Sequence, residues 1–157
     1  MGYYPSAVPA VVTRNVFENP AWYTSYTPYQ AEISQGRLEA LLNFQTAVIS
    51  LTGMEIGNCS LLDEGTAAAE AMLMMFALRP REAVREGRNQ LFVDRNIFPQ
   101  TLDVLLTRSE PFGIELIVDD YDEYEFTGRE FGAIVQYPAA DGRVRDYSDF
   151  TAAAHAK

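Results

Sequence analysis

The stretch NCSLLDEGTAAAEAM, residues 58–72, predicts a tight turn that opens directly into an alanine-rich helix. Ala, Glu, Met and Leu are strong helix formers, and the run of such residues continues to Leu78. Thr66 is the expected N-cap, and Gly65 before it allows the chain to bend sharply. The next three backbone N–H groups, from Ala67 onward, would then lack helical acceptors. Because such a helix start attracts anions, the stretch predicts a phosphate-binding site.

The distribution of cationic side chains limits what such a site can do. The chain has a single lysine, Lys157, at its last position, and every other cationic side chain belongs to an arginine or to His155. Schiff-base chemistry with an aldehyde cofactor requires an amine, and arginine stays protonated and is a poor nucleophile. The interior therefore offers no candidate for a catalytic lysine.

Length and charge exclude several classes of function. A chain of 157 residues fits one domain with a sizeable core. Its net charge is −10 without a basic cluster, so nucleic-acid binding is not expected. Cys59 is the only cysteine, which excludes an internal disulfide framework and suits a reducing compartment. No apolar run approaches the roughly 20 residues of a membrane span, so we expect no membrane partner.

Residues 1–30 are rich in proline and aromatic side chains, with neither a helical nor a strand period. Disordered segments are poor in aromatic residues, so we expect an irregular arm that packs on a surface. That surface is either the arm's own domain or a partner, meaning another chain or a further part of the polypeptide. We favour the partner, because so many aromatic rings need a large surface to cover them.

Residues 31–157 are predicted to form an incomplete α/β domain. Apolar residues at helical spacing predict a helix over 37–52, with Gly53 as its C-cap. Three short apolar runs predict strands at 91–93, 114–118 and 132–136, a helix begins at Pro99, and a last helix covers 149–157. Strands alternating with helices indicate a parallel sheet. Three strands are fewer than the five or six of a typical sheet, so the domain looks truncated.

The other polar residues that stand out favour structural roles. Asp63 and Glu64 complement the dipole of the following helix more readily than they serve as acid and base. Cys59 is expected as a small buried residue. The acidic run 119–125 lacks the glycine of a calcium loop and is expected as a solvated loop. His155 has no ligand partner at a suitable spacing, so no metal site is predicted.

Four strings of sequence, in this order along the chain, carry a resemblance to a known family: ENPAWYTSYTPYQ (18–30), EISQGRLE (32–39), LNFQT (42–46) and SLLDEGTAAAEAM (60–72). The chain resembles the P-proteins of the glycine cleavage system, the glycine dehydrogenases (decarboxylating). The resemblance implies a partial three-layer α/β domain like the large domain of type I pyridoxal-phosphate (PLP) transferases. It also implies a much longer enzyme built of two related halves, of which this chain is a piece of the N-terminal half.

The same resemblance implies an activity and its partners. The complete enzyme uses PLP to decarboxylate glycine and passes the aminomethyl group to the lipoyl arm of the H-protein. Its Schiff-base lysine lies in the C-terminal half or subunit, so the resemblance assigns no catalytic residue here, and we expect the piece to bind no PLP and to be inactive alone. The implied location is the bacterial cytoplasm; a eukaryotic member would be mitochondrial, but no transit peptide is seen.

The resemblance also assigns roles to two groups of residues. Gly65, Thr66 and Ala67 match the anion-binding helix start that grips the cofactor phosphate, which the resemblance implies to be a vestige in this half. The aromatic residues of the arm match a family signature and imply an interface between the halves or the entrance to the active site; they are Trp22, Tyr23, Tyr26 and Tyr29. Two alternatives stay open: a non-catalytic interaction or regulatory module derived from the same fold, and a small phosphate-binding α/β protein.

Overall fold

A computed structural model describes residues 7–23, 29–61 and 63–157 of the chain. The chain divides into two units, residues 2–60 and residues 61–157. The predicted boundary after residue 30 stays a prediction.

The first unit is made of helical segments. They are α1 (Ala10–Val12), a π-helical turn (Thr13–Phe17), α2 (Pro20–Tyr23), a 3-10 turn (Ala31–Ile33) and α3 (Gln35–Thr52). The described part of the arm therefore holds short helical turns where the sequence predicted irregular chain. Pro20 occupies the first position of α2, where proline is tolerated, and the side chain of Asn19 accepts a hydrogen bond from the N–H of Ala21 at 3.0 Å.

Helix α3 confirms the helix predicted over 37–52 and begins two residues earlier. Gly53 has a φ of 71°, and its N–H donates to the carbonyl of Ile49 at 2.9 Å, which ends the helix as expected for a left-handed C-cap. Apolar side chains are distributed around the helix, and none of its 18 residues is buried.

The second unit contains the sheet and its covering helices. Its elements are α4 (Glu64–Ala77), α5 (Arg81–Arg85), β1 (Gln90–Asp94), α6 (Pro99–Ser109), a 3-10 turn (Glu110–Phe112), β2 (Glu115–Asp119), β3 (Glu130–Ile134) and α7 (Ser148–His155). The strand order is β2–β1–β3, and both pairings are parallel. The predicted strands are all present, with β2 displaced by one residue and β3 by two.

The two faces of β1 carry different packing, because successive strand side chains point to opposite sides. Leu91 and Val93 join a buried cluster with residues of α4 and α6, including Met72 and Leu105. Phe92 points to the other face. There it contacts a cluster of rings from the β2–β3 connection and α7, which is formed by Tyr121, Tyr124, Phe126, Tyr147 and Phe150.

Helices α4 and α6 thus cover one face of a parallel sheet, and α7 covers the other. This arrangement confirms the predicted partial three-layer α/β domain. Within the described ranges, no helix is long and apolar enough to cross a bilayer.

Candidate functional site

The start of helix α4, the predicted anion site, is capped by Asp63. The backbone of Asp63 is extended (φ −154°, ψ 176°), and its carboxylate accepts a hydrogen bond from the N–H of Thr66 at 2.6 Å. The backbone and side-chain hydrogen bonds from Thr66 hold the pKa of Asp63 below its ordinary value. Asp63 is therefore an ionised N-cap at neutral pH.

This cap corrects the predicted helix start. Thr66 is the third residue of the helix and not its N-cap, because Asp63 lies three residues upstream in the position that a capping carboxylate favours. The N–H of Ala67 donates to the carbonyl of Asp63 at 2.9 Å and is thus part of the helix. Two of the three residues predicted to hold phosphate therefore have their amides engaged.

Gly65 also has a different role from the predicted one. It lies inside the first turn of α4 without a positive φ, so it does not make a bend. Instead it is buried, and a Cβ added there would come 3.3 Å from Cγ2 of Val104 on α6. The absence of a side chain allows α4 and α6 to approach closely. A salt bridge between Glu70 and Arg108, at 2.6 Å, joins the same two helices.

The aromatic residues of the arm are mostly exposed where they are described. The exposed fractions are 54% for Trp22, 65% for Tyr23 and 89% for Tyr29, and Tyr26 lies outside the described residues. Trp22 also lines a cavity of about 430 Å³ in the first unit, together with Arg37, Leu41 and Phe44. Their assignment to an interface stays a prediction.

Helix α3 adds apolar surface that the sequence reasoning did not recognise as a candidate interface. Leu42 and Leu51 are 62% and 86% exposed, and Phe44 is exposed as well. Helices that are apolar on all sides are normally buried. The signal was present in the sequence, since apolar residues occur on more than one side of the helix.

The acidic loop after β2 is tied to the domain at both ends. Asp119 forms an ion pair with Arg95, and Tyr124 donates a hydrogen bond to Glu130. The carboxylate of Glu130 also accepts from the N–H groups of Thr127 at 3.2 Å and Gly128 at 2.9 Å. In the described part of the chain, no group of three or more His, Cys, Asp or Glu residues could hold a metal ion.

Burial and hydrogen bonding shift the pKa of Glu130 in opposite directions. Burial alone raises the pKa of the Glu130 carboxyl, but the donors on Tyr124 and Thr127 favour the ionised form and bring it down to about 2. Glu130 is a buried carboxylate that organises the β2–β3 connection. The sequence does not indicate the burial of Glu130, because a charged residue at the start of an apolar run is normally exposed.

Asp94, at the carboxyl end of β1, is fully buried. Its Oδ1 accepts from the backbone N–H of Asn96 at 3.1 Å and from the Asn96 side chain at 3.0 Å. Its Oδ2 has no hydrogen-bond partner among the described residues. Asp94 directly follows the strand predicted over 91–93, and no motif in the sequence marks it as a candidate site residue.

Cys59, which the sequence predicted to be buried, is only half-buried, with its Sγ 3.8 Å from Oε1 of Gln45. His155 is exposed at the end of α7.

Comparisons with known proteins agree with the resemblance seen in the sequence. The sequence profile of the family described as "Glycine cleavage system P-protein" matches residues 1–157. The glycine dehydrogenase (decarboxylating) of Bacteroides thetaiotaomicron is 62% identical over 155 residues, covering 99% of this chain and 16% of that protein. The Flavobacterium johnsoniae protein of the same name is 60% identical over 154 residues, covering 98% of this chain and again 16% of the relative.

A solved structure matches the fold as well. It is the crystal structure of a glycine decarboxylase (P-protein) of the glycine cleavage system in inhibitor-bound form, and it superposes with a TM-score of 0.79 at 33% identity. The match covers 95% of this chain and 33% of the solved chain. The chain thus spans only a minor part of the proteins that it matches.

Proposed function

Because the chain belongs to the glycine cleavage system P-protein family, we propose that it is a non-catalytic part of a PLP-dependent glycine decarboxylase. The complete protein would decarboxylate glycine and transfer the aminomethyl group to the lipoyl H-protein. The observation that carries the proposal is the family match over all 157 residues, combined with a sequence whose only lysine is Lys157.

The residues of this chain do not fit PLP. When bound, PLP supplies the electron sink for loss of carbon dioxide, and the enzyme must provide a lysine and a phosphate cradle. Lys157 is the last residue of the chain, just beyond the end of α7. At the start of α4 the ionised Asp63 accepts the N–H that a phosphate would need, and its negative charge repels a second anion. The lysine-bearing C-terminal half or subunit would therefore hold the cofactor.

The proposal that PLP is held outside residues 1–157 is tested with the full-length protein and its variant Lys157→Arg. We expect glycine decarboxylation to be unchanged in the variant, because Lys157 does not react. Borohydride reduction followed by peptide mapping should locate the pyridoxyl group outside residues 1–157 in both proteins. A pyridoxyl group on Lys157, or loss of decarboxylation in the variant, would contradict the proposal.

We also propose that the aromatic arm contacts the rest of the enzyme. The exposure of Tyr29 and of Leu51 on α3 supports this, since soluble proteins rarely leave large contiguous apolar patches uncovered. Tyr29→Ala should leave the melting temperature of the 157-residue chain unchanged and lower that of the full-length protein. Tyr137→Ala, at a tyrosine of the second unit that is 61% exposed, serves as the matched control. If Tyr29→Ala lowers the melting temperatures of the 157-residue chain and of the full-length protein equally, the proposed interface is contradicted.

The uncovered apolar side chains of α3 also favour the second candidate, a non-catalytic interaction or regulatory module of the same fold. Genomic context separates the two readings. An open reading frame that continues into a lysine-bearing half, or a neighbouring gene for such a subunit, supports the enzyme. With bacterial relatives and this role, the bacterial cytoplasm is the proposed location.

A further inference from the structure

A buried carboxylate at the carboxyl end of β1 has one oxygen atom without a hydrogen-bond partner. The side chain of Asp94 is fully buried, and its Oδ1 accepts two hydrogen bonds from Asn96. Its Oδ2 accepts none from the described residues. Folded proteins normally satisfy such an atom with a protein group or an ordered water, because an unpaired buried acceptor is costly. Oδ2 therefore requires a donor that the described side chains do not supply.

Two arginines near the same edge of the sheet are engaged by other carboxylates. Arg95, the next residue along the chain, forms an ion pair with Asp119. The guanidinium of Arg145 donates to both oxygens of Asp141, at 3.0 and 2.7 Å. None of the ion pairs formed among the described residues includes Asp94. The donor to Oδ2 is therefore not one of these two guanidinium groups.

Asp94 lies on the face of the sheet that carries the cluster of rings. Its side chain points to the same side of β1 as that of Phe92, because residues two apart in a strand share a face. Phe92 contacts Phe150 with ring centroids 5.2 Å apart, and Phe150 in turn lies 6.5 Å from Tyr147. The polar neighbours of Oδ2 are therefore to be sought among the residues of this cluster.

Tyr147 brings a hydroxyl group to the carboxyl edge of this face. It directly precedes α7, and its hydroxyl donates to the carbonyl of Gln136, two residues after β3 ends. The distance of 3.3 Å between the two oxygens is long, since bonds of this type cluster at about 2.7–2.8 Å. A hydroxyl can also rotate, and it accepts as well as donates. This hydroxyl is therefore held weakly and can bond a second group.

The negative charge of Asp94 acts on the hydroxyl of Tyr147. Burial raises the pKa of Tyr147, and the charge of Asp94 raises that pKa further, because a nearby carboxylate disfavours the phenolate. No direct hydrogen bond joins the two groups, since Oδ2 accepts none. The carboxylate and the hydroxyl are thus neighbours that one small molecule could connect.

We propose that a single buried water molecule bridges Oδ2 of Asp94 and the hydroxyl of Tyr147, and so ties the start of α7 to the carboxyl end of β1. Water donates to the carboxylate and keeps a second hydrogen and its lone pairs for the hydroxyl and a further neighbour. Buried waters typically make about three such bonds. The site does not depend on the proposed function, because both groups belong to the second unit.

A metal ion fits this place less well than water does. Hard cations such as calcium and magnesium take about six or more oxygen ligands. In the part of the chain that the structure describes, no group of three or more His, Cys, Asp or Glu residues could hold a metal ion. A water molecule needs only the carboxylate and the hydroxyl as its main partners.

A crystal structure of the full-length protein tests the proposal directly. We expect water density about 2.5–3.0 Å from both Oδ2 of Asp94 and the hydroxyl oxygen of Tyr147. The density should be lost in Tyr147→Phe and retained in Tyr121→Phe. Tyr121 is the matched control, because its ring packs in the same cluster while its hydroxyl bonds Asp122. A direct bond from Tyr147 to Oδ2, a metal ion at this position, or no density beside Oδ2 would overturn the proposal.

Hydrogen exchange of the full-length protein gives a second readout that depends on neither crystals nor decarboxylation. The buried amide of Val93 reports the opening of β1. Tyr147→Phe should speed its exchange roughly fivefold, the effect of one hydrogen bond. The same substitution should act as strongly beside Asp94→Asn, because water can accept from the new amide, and much more weakly beside Asp94→Ala. Equal effects of Tyr147→Phe in the parent protein and beside Asp94→Ala would contradict the bridge.

Discussion

At the scale of single residues, two carboxylates hold turns of the backbone through main-chain N–H groups. Asp63 caps α4, and Glu130 organises the connection between β2 and β3. Both have lowered pKa values in the folded protein, so each stabilises the fold in its ionised form. This stabilisation is present above the ordinary pKa of each carboxyl and is lost as the pH falls through the folded value.

The first prediction concerns the cap. Asp63→Ala should lower the melting temperature of the chain by roughly 2–4 °C, because the N–H of Thr66 loses its acceptor. Asp63→Asn keeps a side-chain oxygen at the cap and should retain most of the stability. The measurement is thermal unfolding followed by circular dichroism at neutral pH. If the two variants have the same melting temperature, well below that of the parent protein, the hydrogen bond from Thr66 to the cap is not the source of the stabilisation.

The second prediction concerns Glu130. Glu130→Gln should cost about 1–3 kcal/mol of unfolding free energy at pH 7, because buried donors lose a charged acceptor. In the parent protein this contribution should fade between about pH 4.5 and pH 2, and in the variant that part of the pH dependence should be missing. Glu125→Gln, at an exposed position in the same loop, is the control. Urea titrations over this pH range provide the measurement.

At the scale of elements, the close approach of α4 and α6 depends on Gly65. Gly65→Leu should destabilise the second unit by about 1–3 kcal/mol, because the new side chain would overlap Val104. Gly36→Leu, in a helix position with no atom within 4 Å of the added Cβ, should change stability far less. The unfolding free energies of the two variants are compared by urea unfolding. Equal losses of unfolding free energy would mean that the overlap with Val104 does not cause the destabilisation.

The helices and strands of the second unit differ in how well their bounds can be predicted from the sequence. The position of β1 followed from a short apolar run, although the strand is one residue longer at each end than predicted, and the start of α6 followed from Pro99, because these signals are local. The start of α4 was not predicted correctly, because Asp63 and Thr66 are both residue types that favour the N-cap position. In the structure Asp63 is the cap, and it accepts a hydrogen bond from the N–H of Thr66. The start of β3 was displaced because Glu130 is buried by donors from a loop preceding it, which no periodic pattern reveals.

At the scale of the whole molecule, the described residues leave apolar side chains uncovered in each of the two units. These include side chains of α3 and the arm in the first unit and Tyr137 in the second. The chain spans 16% of the length of relatives such as the Bacteroides thetaiotaomicron protein. A three-stranded sheet, a single lysine and a capped helix start are the features from which we propose a non-catalytic part of a larger enzyme.

Release of labelled carbon dioxide from [1-14C]glycine, measured with PLP and lipoyl H-protein present, tests the central claim most directly. The purified 157-residue chain should release none above background, and the full-length protein should release it under the same conditions. Turnover by the 157-residue chain alone would contradict the account, because residues 1–157 would then contain the reacting groups that we assign to the lysine-bearing half.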